Sequence, residues 1–278
     1  LEKSLEKEKL RKFSHFLDFK VLTSNFNRGI IDHFNYILKI VDTDYIFMIS
    51  GDDRIHEKFC EELIPKLERK FTCITPNQYR INDDNRIIDK SNYEQNGFNS
   101  LEDIVLKGNF GIPSSGSIYN LNSIKKFGKL DKNLSNEDDQ FLFRTMLEGS
   151  RLIVNSHLFF YRVHSASASS WHRKPFLPRK VLFDMHLSEL KNKVNHLLSF
   201  KSILVSDKFI QINRYKNLID LIDTKIETYS KKYSKFQNIQ YNKSLISYYL
   251  ELLFRLRAIK IIFRFWIGIF IRNLKILN

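Results

Sequence analysis

This chain has few of the residues that cross-link small secreted domains or interrupt helices. Only two cysteines, Cys60 and Cys73, occur among its 278 residues. Their separation fits neither a metal-binding motif nor a disulfide framework, and it suits a reducing compartment. Proline occurs five times, and none follows Pro178. The last third of the sequence is therefore free to form long helices.

The chain also lacks a long apolar run. No uncharged stretch reaches the roughly 18–20 residues that a membrane-spanning helix needs. The residues are nevertheless 43% hydrophobic and 14% aromatic, which is enough for a sizeable core and excludes global disorder. The length fits one large domain, or one domain with an appendage.

Positive charge is concentrated at one end of the chain. The net charge is +14, yet residues 1–171 contain 24 Lys/Arg and 24 Asp/Glu, whereas residues 172–278 contain 21 and 7. We therefore predict a neutral α/β body over residues 1–171 and a basic, all-helical region over residues 172–278. A basic region of this kind favours an anionic partner, either nucleic acid or lipid.

The body alternates helical and strand patterns. The apolar run Tyr45–Ser50 does not alternate, which predicts a strand buried on both faces of a parallel, helix-covered sheet. Further helices are predicted at residues 1–17, 29–41, 55–70, 100–108 and 137–149. Further strands are predicted at residues 19–23, 71–75, 152–155 and 158–163, with a polar hairpin reaching residue 89.

Two carboxylates, Asp52 and Asp53, follow that buried strand. In open α/β sheets ligands bind outside the carboxyl ends of the strands. Two adjacent carboxylates are costly to desolvate unless a cation joins them, so a divalent metal carrying a phosphate group is the natural candidate. The alternative is a plain turn in which Asp53 caps the next helix. The spacing alone leaves both interpretations open.

Two later segments carry further candidates. Glu137, Asp138 and Asp139 stand at a predicted helix start, where the macrodipole favours acids; one of them could instead serve as a general base. Arg162 and His164 share one face of a strand. Arginine suits diphosphate oxygens and neutral histidine suits a metal, although a histidine at a strand end is more often an ordinary surface residue.

Taken in order, these segments resemble a family 2 glycosyltransferase over roughly residues 18–170. The first group of matching residues is Asn27-Arg28-Gly29, Asn35, Asp44–Phe47 and Ser50–Asp53. The second is the acidic helix signature, with Glu137-Asp138, Phe141, Arg144 and Gly149. The third is Tyr161–His164 followed by Ser165-Ala-Ser-Ala-Ser.

The resemblance implies a GT-A-like, Rossmann-type mixed sheet flanked by helices, a nucleotide-diphospho-sugar donor, and Mg²⁺ or Mn²⁺. The implied roles are Asp52, Asp53 and His164 at the metal, and Ser50, Asp52, Arg162 and His164 at the donor. Asp138 would be the catalytic base, with Glu137 beside it. Gly116 and Trp171 belong to the loops that we expect to shape the acceptor site.

Two departures from the family pattern stand out. Ser50 replaces the first acid of the family's Asp-x-Asp motif, which often contacts the donor ribose. The opening strands of the family, which carry the nucleotide-base pocket, have no counterpart. We therefore expect a partial GT-A domain, poor solubility and no measurable transferase activity from these 278 residues. Micromolar binding of a nucleotide sugar with a preference among bases would overturn that expectation.

The far end of the chain carries its own pattern. Between residues 252 and 277 five of the six basic residues fall on one side of a helix whose remaining positions are mostly Ile, Phe, Leu and Trp: Arg257, Lys260, Arg264, Arg272 and Lys275. This pattern predicts an amphipathic helix, at about residues 245–277, lying in an anionic membrane surface. Packing on the catalytic body is the alternative.

The leading functional hypothesis is a bacterial, inverting, metal-dependent glycosyltransferase of surface polysaccharide synthesis. It would act on a saccharide or lipid-linked acceptor from the cytoplasm, at the inner face of the cell membrane. One alternative is a nucleotidyltransferase, which would need a glycine-rich basic phosphate loop that the sequence lacks. Another is a non-catalytic membrane or nucleic-acid binding protein with a relic domain. Nucleic acid is the less favoured partner, because the apolar neighbours of the basic residues suit lipid.

Overall fold

The computed structural model describes residues 22, 24–67, 71–93, 100–107, 115–164, 179–206 and 212–238. The predicted helix at residues 1–17, the strand at residues 19–23 and the basic helix at about residues 245–277 lie outside these ranges. The helices are α1 (Ile30–Ile40), α2 (Phe59–Leu67), α3 (Leu101–Lys107), α4 (Leu121–Lys125), α5 (Asp138–Glu148), α6 (Arg179–Val205) and α7 (Ile212–Gln237). The strands are β1 (Tyr45–Phe47), β2 (Arg54–Ile55), β3 (Cys73–Ile81), β4 (Ile87–Lys90), β5 (Ile118–Asn120) and β6 (Arg151–Arg162).

The strands form one mixed sheet in the order β1-β5-β3-β6-β2, with β4 paired to β3. β3 and β6 are parallel, whereas β5 is antiparallel to both β1 and β3, and β2 is antiparallel to β6. The predicted mixed α/β sheet flanked by helices is confirmed; the expectation of a parallel sheet holds only for β3 with β6. Because β1, β3 and β6 point the same way, their carboxyl ends lie at one edge of the sheet.

The predicted buried strand is shorter and less buried than the apolar run suggested. β1 ends at Phe47, and Met48 adds one isolated bridge to Ser115. Ile46 is buried, but its two neighbours in the strand are half-buried and Ile49 is 47% exposed. The prediction of burial on both faces is therefore wrong beyond Ile46. The chain leaves the sheet early, and this frees residues 49–53 to form a loop.

Most other boundaries agree with the sequence pattern. α1 follows Gly29, whose positive φ of 75° is open to glycine at no steric cost. The two strands predicted at 152–155 and 158–163 are a single strand, β6, whose pairing with β3 shifts register near Asn77. The helix predicted from residue 55 begins only at Phe59, because Arg54 and Ile55 pair with β6. The predicted polar hairpin is β3 with β4.

The helical region that follows residue 178 packs on the body through α5. Phe143 of α5 and Phe200 of α6 stack with ring centroids 4.0 Å apart. The same hydrophobic cluster continues through Leu218 and Ile222 of α7. None of the helices in the described part of the chain is both long and apolar enough to cross a membrane.

Candidate functional site

The first acidic cluster lies in the loop between β1 and β2, beside the carboxyl end of β6. Nε2 of His164 lies 2.9 Å from Oδ2 of Asp52. The Asp52 side chain is 44% exposed and that of His164 is 23% exposed. This carboxylate–imidazole pair therefore faces solvent at the edge where β1, β3 and β6 end, which is where the sequence placed it.

Asp53 occupies a different environment from its neighbour. It is buried, and its Oδ1 accepts a hydrogen bond of 2.8 Å from the backbone N–H of Arg162. Burial raises the pKa of Asp53 to about 6, and the charge of Asp52 adds to the shift; the bonds from Arg162 and Ser50 oppose it. Asp53 thus fastens the loop to the end of β6. It does not cap α2, which begins six residues later.

Most of the guanidinium N–H groups of Arg162 donate hydrogen bonds to other parts of the protein. Its Nε donates to the carbonyl oxygen of Asp52 at 2.8 Å. Its Nη1 donates to the carbonyl oxygens of Asn82 and Asp83, and Nη2 donates to Oδ1 of Asn85 at 2.6 Å. In this arrangement the side chain joins the β3–β4 turn to the loop of Asp52. The sequence suggested a donor contact for Arg162 and gave no sign of this bracing role.

The second acidic cluster is at the start of α5. Glu137 and Asp139 are each 5% exposed, whereas Asp138 is half-buried. Oδ2 of Asp139 lies 3.5 Å from Nδ1 of His196 on α6. Burial raises the pKa of Asp139 well above its usual range, and the charges of Asp138 and Glu137 raise it further. Of the three acids, Asp138 is thus the one with access to solvent.

β5 and the residues before it join the two clusters. Ser50 and Ser115 bring their hydroxyl oxygens to 3.2 Å, and the N–H of Gly116 donates to the carbonyl oxygen of Met48 at 3.1 Å. Further along, burial raises the pKa of Tyr119 well above its usual range, and the nearby charge of Asp138 contributes. The segment from Ser115 to Tyr119 thus passes from the loop of Asp52 to the start of α5.

Gly116 is sterically required at its position. Its φ is 86°, and a Cβ placed there would lie 2.6 Å from the ring of Phe159. The absence of a side chain lets the backbone just before β5 approach the Phe159 ring of β6, beside the Asp52 loop. Trp171, the other predicted acceptor contact, lies outside the described residues.

The first cluster offers two of the ligands that a divalent cation would need. Among the residues that the structure describes, no group of three His, Cys, Asp or Glu side chains is arranged to hold a metal ion. Asp52 and His164 supply one carboxylate and one imidazole, and Oδ2 of buried Asp53 has no hydrogen-bond partner among the described residues. Because Mg²⁺ usually takes its remaining ligands from substrate phosphates and water, this pair fits a cation delivered with a diphosphate.

A separate basic groove runs beside α1. Its volume is about 600 Å³, and five cations line it together with the single carboxylate of Asp32: Arg28, Lys39, Lys125, Lys129 and Lys132. Lys125 is engaged with the carbonyl oxygen of Val41. The groove was not evident from the sequence, because its cations come from two segments about 90 residues apart.

Comparison with known proteins agrees with the resemblance seen in the sequence. Residues 6–127 match the family model described as glycosyl transferase family 2. Among 49 matching solved chains is the crystal structure of residues 1–349 of TarS from S. aureus, at 12% identity and a TM-score of 0.43, over 85% of this chain and 79% of that one. No curated protein sequence matches the chain. The predicted resemblance to family 2 glycosyltransferases is confirmed over residues 6–127, and Asp138 and His164 lie beyond the matched part.

Proposed function

We propose that this chain, which carries a family 2 glycosyltransferase domain, transfers a sugar from a nucleotide-diphospho-sugar to an acceptor hydroxyl with inversion of configuration. One observation carries the proposal. The exposed Asp52–His164 pair and the half-buried Asp138 stand on the two elements that the Ser115–Tyr119 segment connects. A diphosphate-binding pair and a solvent-accessible carboxylate are the two parts that the reaction requires.

The donor diphosphate would bind at Asp52 and His164, together with Mg²⁺ or Mn²⁺. A bound divalent cation would neutralise charge on the departing nucleoside diphosphate. Asp52 can turn toward such a cation because its carboxylate is partly exposed and lies against the solvent-facing His164. Ser50, whose hydroxyl already contacts Ser115, is placed to hydrogen-bond to the donor from the same loop.

Asp138 would act as the general base. Its carboxylate would take the proton of an acceptor hydroxyl, and the resulting oxygen would attack the anomeric carbon as the bond to the diphosphate breaks. Because attack comes from the face opposite the leaving group, the configuration inverts. Glu137 is buried, so a supporting position beside the base suits it better than direct proton transfer does.

Our proposal for the biological setting rests on the basic region over residues 172–278. We propose that the acceptor is a saccharide or a lipid-linked saccharide of bacterial surface polysaccharide synthesis, and that the protein works in the cytoplasm against the inner face of the cell membrane. The support is the charge distribution, with 21 Lys/Arg against 7 Asp/Glu after residue 171. Each basic residue near an anionic surface contributes about 1 kcal/mol of attraction.

Donor hydrolysis tests the catalytic proposal. The full chain would be incubated with radiolabelled UDP- and GDP-sugars and Mn²⁺, and release of the nucleoside diphosphate would be followed. The family pattern led us to expect an inactive chain; the geometry of the site leads us to propose instead that these residues turn over the donor. We expect release that EDTA stops and that Asp52→Ala abolishes. Asp84→Ala is the matched control, because it removes another exposed acid from the neighbouring β3–β4 turn. Equal loss in both variants, or release that is indifferent to metal, would contradict the assigned site.

Vesicle binding tests the membrane proposal. The full chain should sediment with vesicles containing phosphatidylserine or phosphatidylglycerol and remain free of pure phosphatidylcholine vesicles, and raised salt should weaken the association. Deletion of residues 245–278 should release the protein. Equal binding to neutral and anionic vesicles would contradict the electrostatic attraction.

A further inference from the structure

A buried histidine lies against the acidic helix start and has no part in the chemistry described so far. His196, on α6, is 2% exposed. One ring nitrogen, Nδ1, lies 3.5 Å from Oδ2 of Asp139, and the other, Nε2, lies 3.4 Å from Oγ of Ser135. The imidazole therefore contacts the chain on both sides of Glu137 and Asp138.

A second contact from the same helix supports the first. Nδ2 of Asn195 donates a hydrogen bond of 2.9 Å to the carbonyl oxygen of Asn133. Two consecutive residues of α6 thus contact the segment 133–139 at three points, and the Phe143–Phe200 stack fixes α6 against α5 one turn further along each helix. The segment that presents Asp138 and the helix that supports it both lie outside residues 6–127, the part of the chain that matches the family model.

We propose that His196 is a positioning residue for Asp138: its contacts with Ser135 and Asp139 hold in place the segment that presents the Asp138 carboxylate. This inference rests on the proposed role of Asp138 as the base. It assigns Asp139 a structural task that is separate from the catalytic task of Asp138.

The protonation states are consistent with this arrangement. Burial lowers the pKa of His196 to about 4, and burial raises the pKa of Asp139 well above its usual range. The imidazole of His196 is then neutral at neutral pH, and burial favours the protonated form of Asp139. A neutral imidazole accepts at one ring nitrogen and donates from the other. The proposal directs the Nε2–H toward Oγ of Ser135 and leaves Nδ1, which lies 3.5 Å from Oδ2 of Asp139, to accept from a protonated carboxyl.

Selective ¹⁵N-histidine NMR of the full chain tests the arrangement without any need for turnover. We expect the His196 ring to be neutral at pH 7, protonated at Nε2 and accepting a hydrogen bond at Nδ1. Asp139→Asn should preserve this signature, because an amide N–H can replace the carboxyl O–H. Asp139→Leu should abolish it. A charged His196 at pH 7, or identical spectra for the two Asp139 variants, would overturn the proposal.

Donor hydrolysis then separates positioning from folding. His196→Leu should lower kcat at least tenfold with KM for the radiolabelled donor unchanged, and Asp139→Asn should stay within about threefold of the parent protein. His186→Asn, on the same helix and beside Phe236, is the control and should change neither constant. A loss confined to KM in His196→Leu would overturn the positioning role. If the NMR result holds but Asp138→Asn turns over normally, the base assignment fails and the His196–Asp139 contact stands.

Discussion

The two acidic clusters are built alike, although they lie on different elements. In each, one acid faces solvent, and the next acid in the sequence is buried against another part of the fold. Asp52 is exposed and Asp53 bonds to the end of β6; Asp138 is half-buried and Asp139 contacts α6. Burial raises the pKa of both buried acids.

The clusters differ in where each histidine stands. His164 pairs with the exposed acid of the first cluster, whereas His196 contacts the buried acid of the second. An exposed carboxylate–imidazole pair can exchange its partner for a cation, whereas a buried pair can only hold its neighbours in place. We infer that the exposed acids carry the chemistry and that the buried acids determine the position of each loop.

The largest expected effect separates the two acids of α5. Removing a positioned general base typically costs about 10²–10⁴-fold in rate, so Asp138→Asn should lower donor turnover by that factor while donor binding is retained. Asp139→Asn should have little effect, because burial favours the neutral carboxyl and an amide has nearly the same shape. Turnover and equilibrium binding of a radiolabelled nucleotide sugar measure both. A weakened donor affinity with unchanged turnover in Asp138→Asn would remove Asp138 from the base role.

The pH dependence of stability should report the buried histidine. The folded-state pKa of His196 is about 4, below the ordinary value of 6.5, so the unfolded chain takes up the proton first as pH falls. Stability from neutral His196 is therefore complete above about pH 6.5 and is lost toward pH 4, by an amount of the order of 3 kcal/mol. The free energy of unfolding, measured with urea between pH 8 and 4, should fall less steeply toward acid pH in His196→Leu than in the parent protein.

Asp139 acts in the opposite direction, and this gives the control for the pH experiment. Its raised pKa contributes stability that is complete below about pH 3.8 and is lost as pH rises through the folded-state value. Asp139→Asn should remove that loss, so the free energy of unfolding should fall more steeply toward acid pH than it does in the parent protein. If the free energy of unfolding had the same pH dependence in the parent protein, His196→Leu and Asp139→Asn, the buried pair would not titrate as described.

Arg162 should matter to stability as well as to activity. Replacing it with Gln would remove the guanidinium hydrogen bonds that the carbonyl oxygens of Asp52 and Asn82 now accept. A hydrogen bond from a charged donor contributes about 1.5–3 kcal/mol; because one of these bonds is exposed and the other is part-buried, we expect a loss of about 2 kcal/mol in chemical unfolding. Arg80→Gln removes only an exposed ion pair with Asp89 and should cost well under 1 kcal/mol.

Two glycines with similar backbone angles give the smallest and cleanest contrast. Gly116, beside the first cluster, and Gly128, whose carbonyl oxygen accepts from Arg144 of α5, have φ of 86° and 73°. An added Cβ meets the Phe159 ring at Gly116 and meets nothing within 4 Å at Gly128. Gly116→Ala should therefore lose about 1 kcal/mol more stability than Gly128→Ala. Equal losses in thermal unfolding would mean that the close approach to β6 is relaxed at no cost.

The sequence predicted the parts of this site that follow from chain order. Acids after an apolar strand and acids at a helix start are local patterns, and both lie where the fold brings strand and helix ends together. The sequence did not predict which acid of each pair would be buried. Asp52 and Asp53 differ only once β6 packs over Asp53. The role of His196 depends on packing between residues 57 positions apart, for which a single sequence gives no signal. The guanidinium contacts of Arg162 were likewise not predictable, because they depend on the position of the β3–β4 turn relative to the end of β6.

The central claim is that Asp52, and not Asp53, holds the cation of a nucleotide sugar with His164. Calorimetric titration of the full chain with inorganic pyrophosphate, in the presence and absence of Mn²⁺, tests this claim without depending on the donor sugar or its base. The account predicts metal-dependent binding that Asp52→Asn weakens at least about 100-fold and that Asp53→Asn leaves within about tenfold of the parent protein. Loss of binding in Asp53→Asn with retention in Asp52→Asn, or binding that does not depend on Mn²⁺, would contradict it.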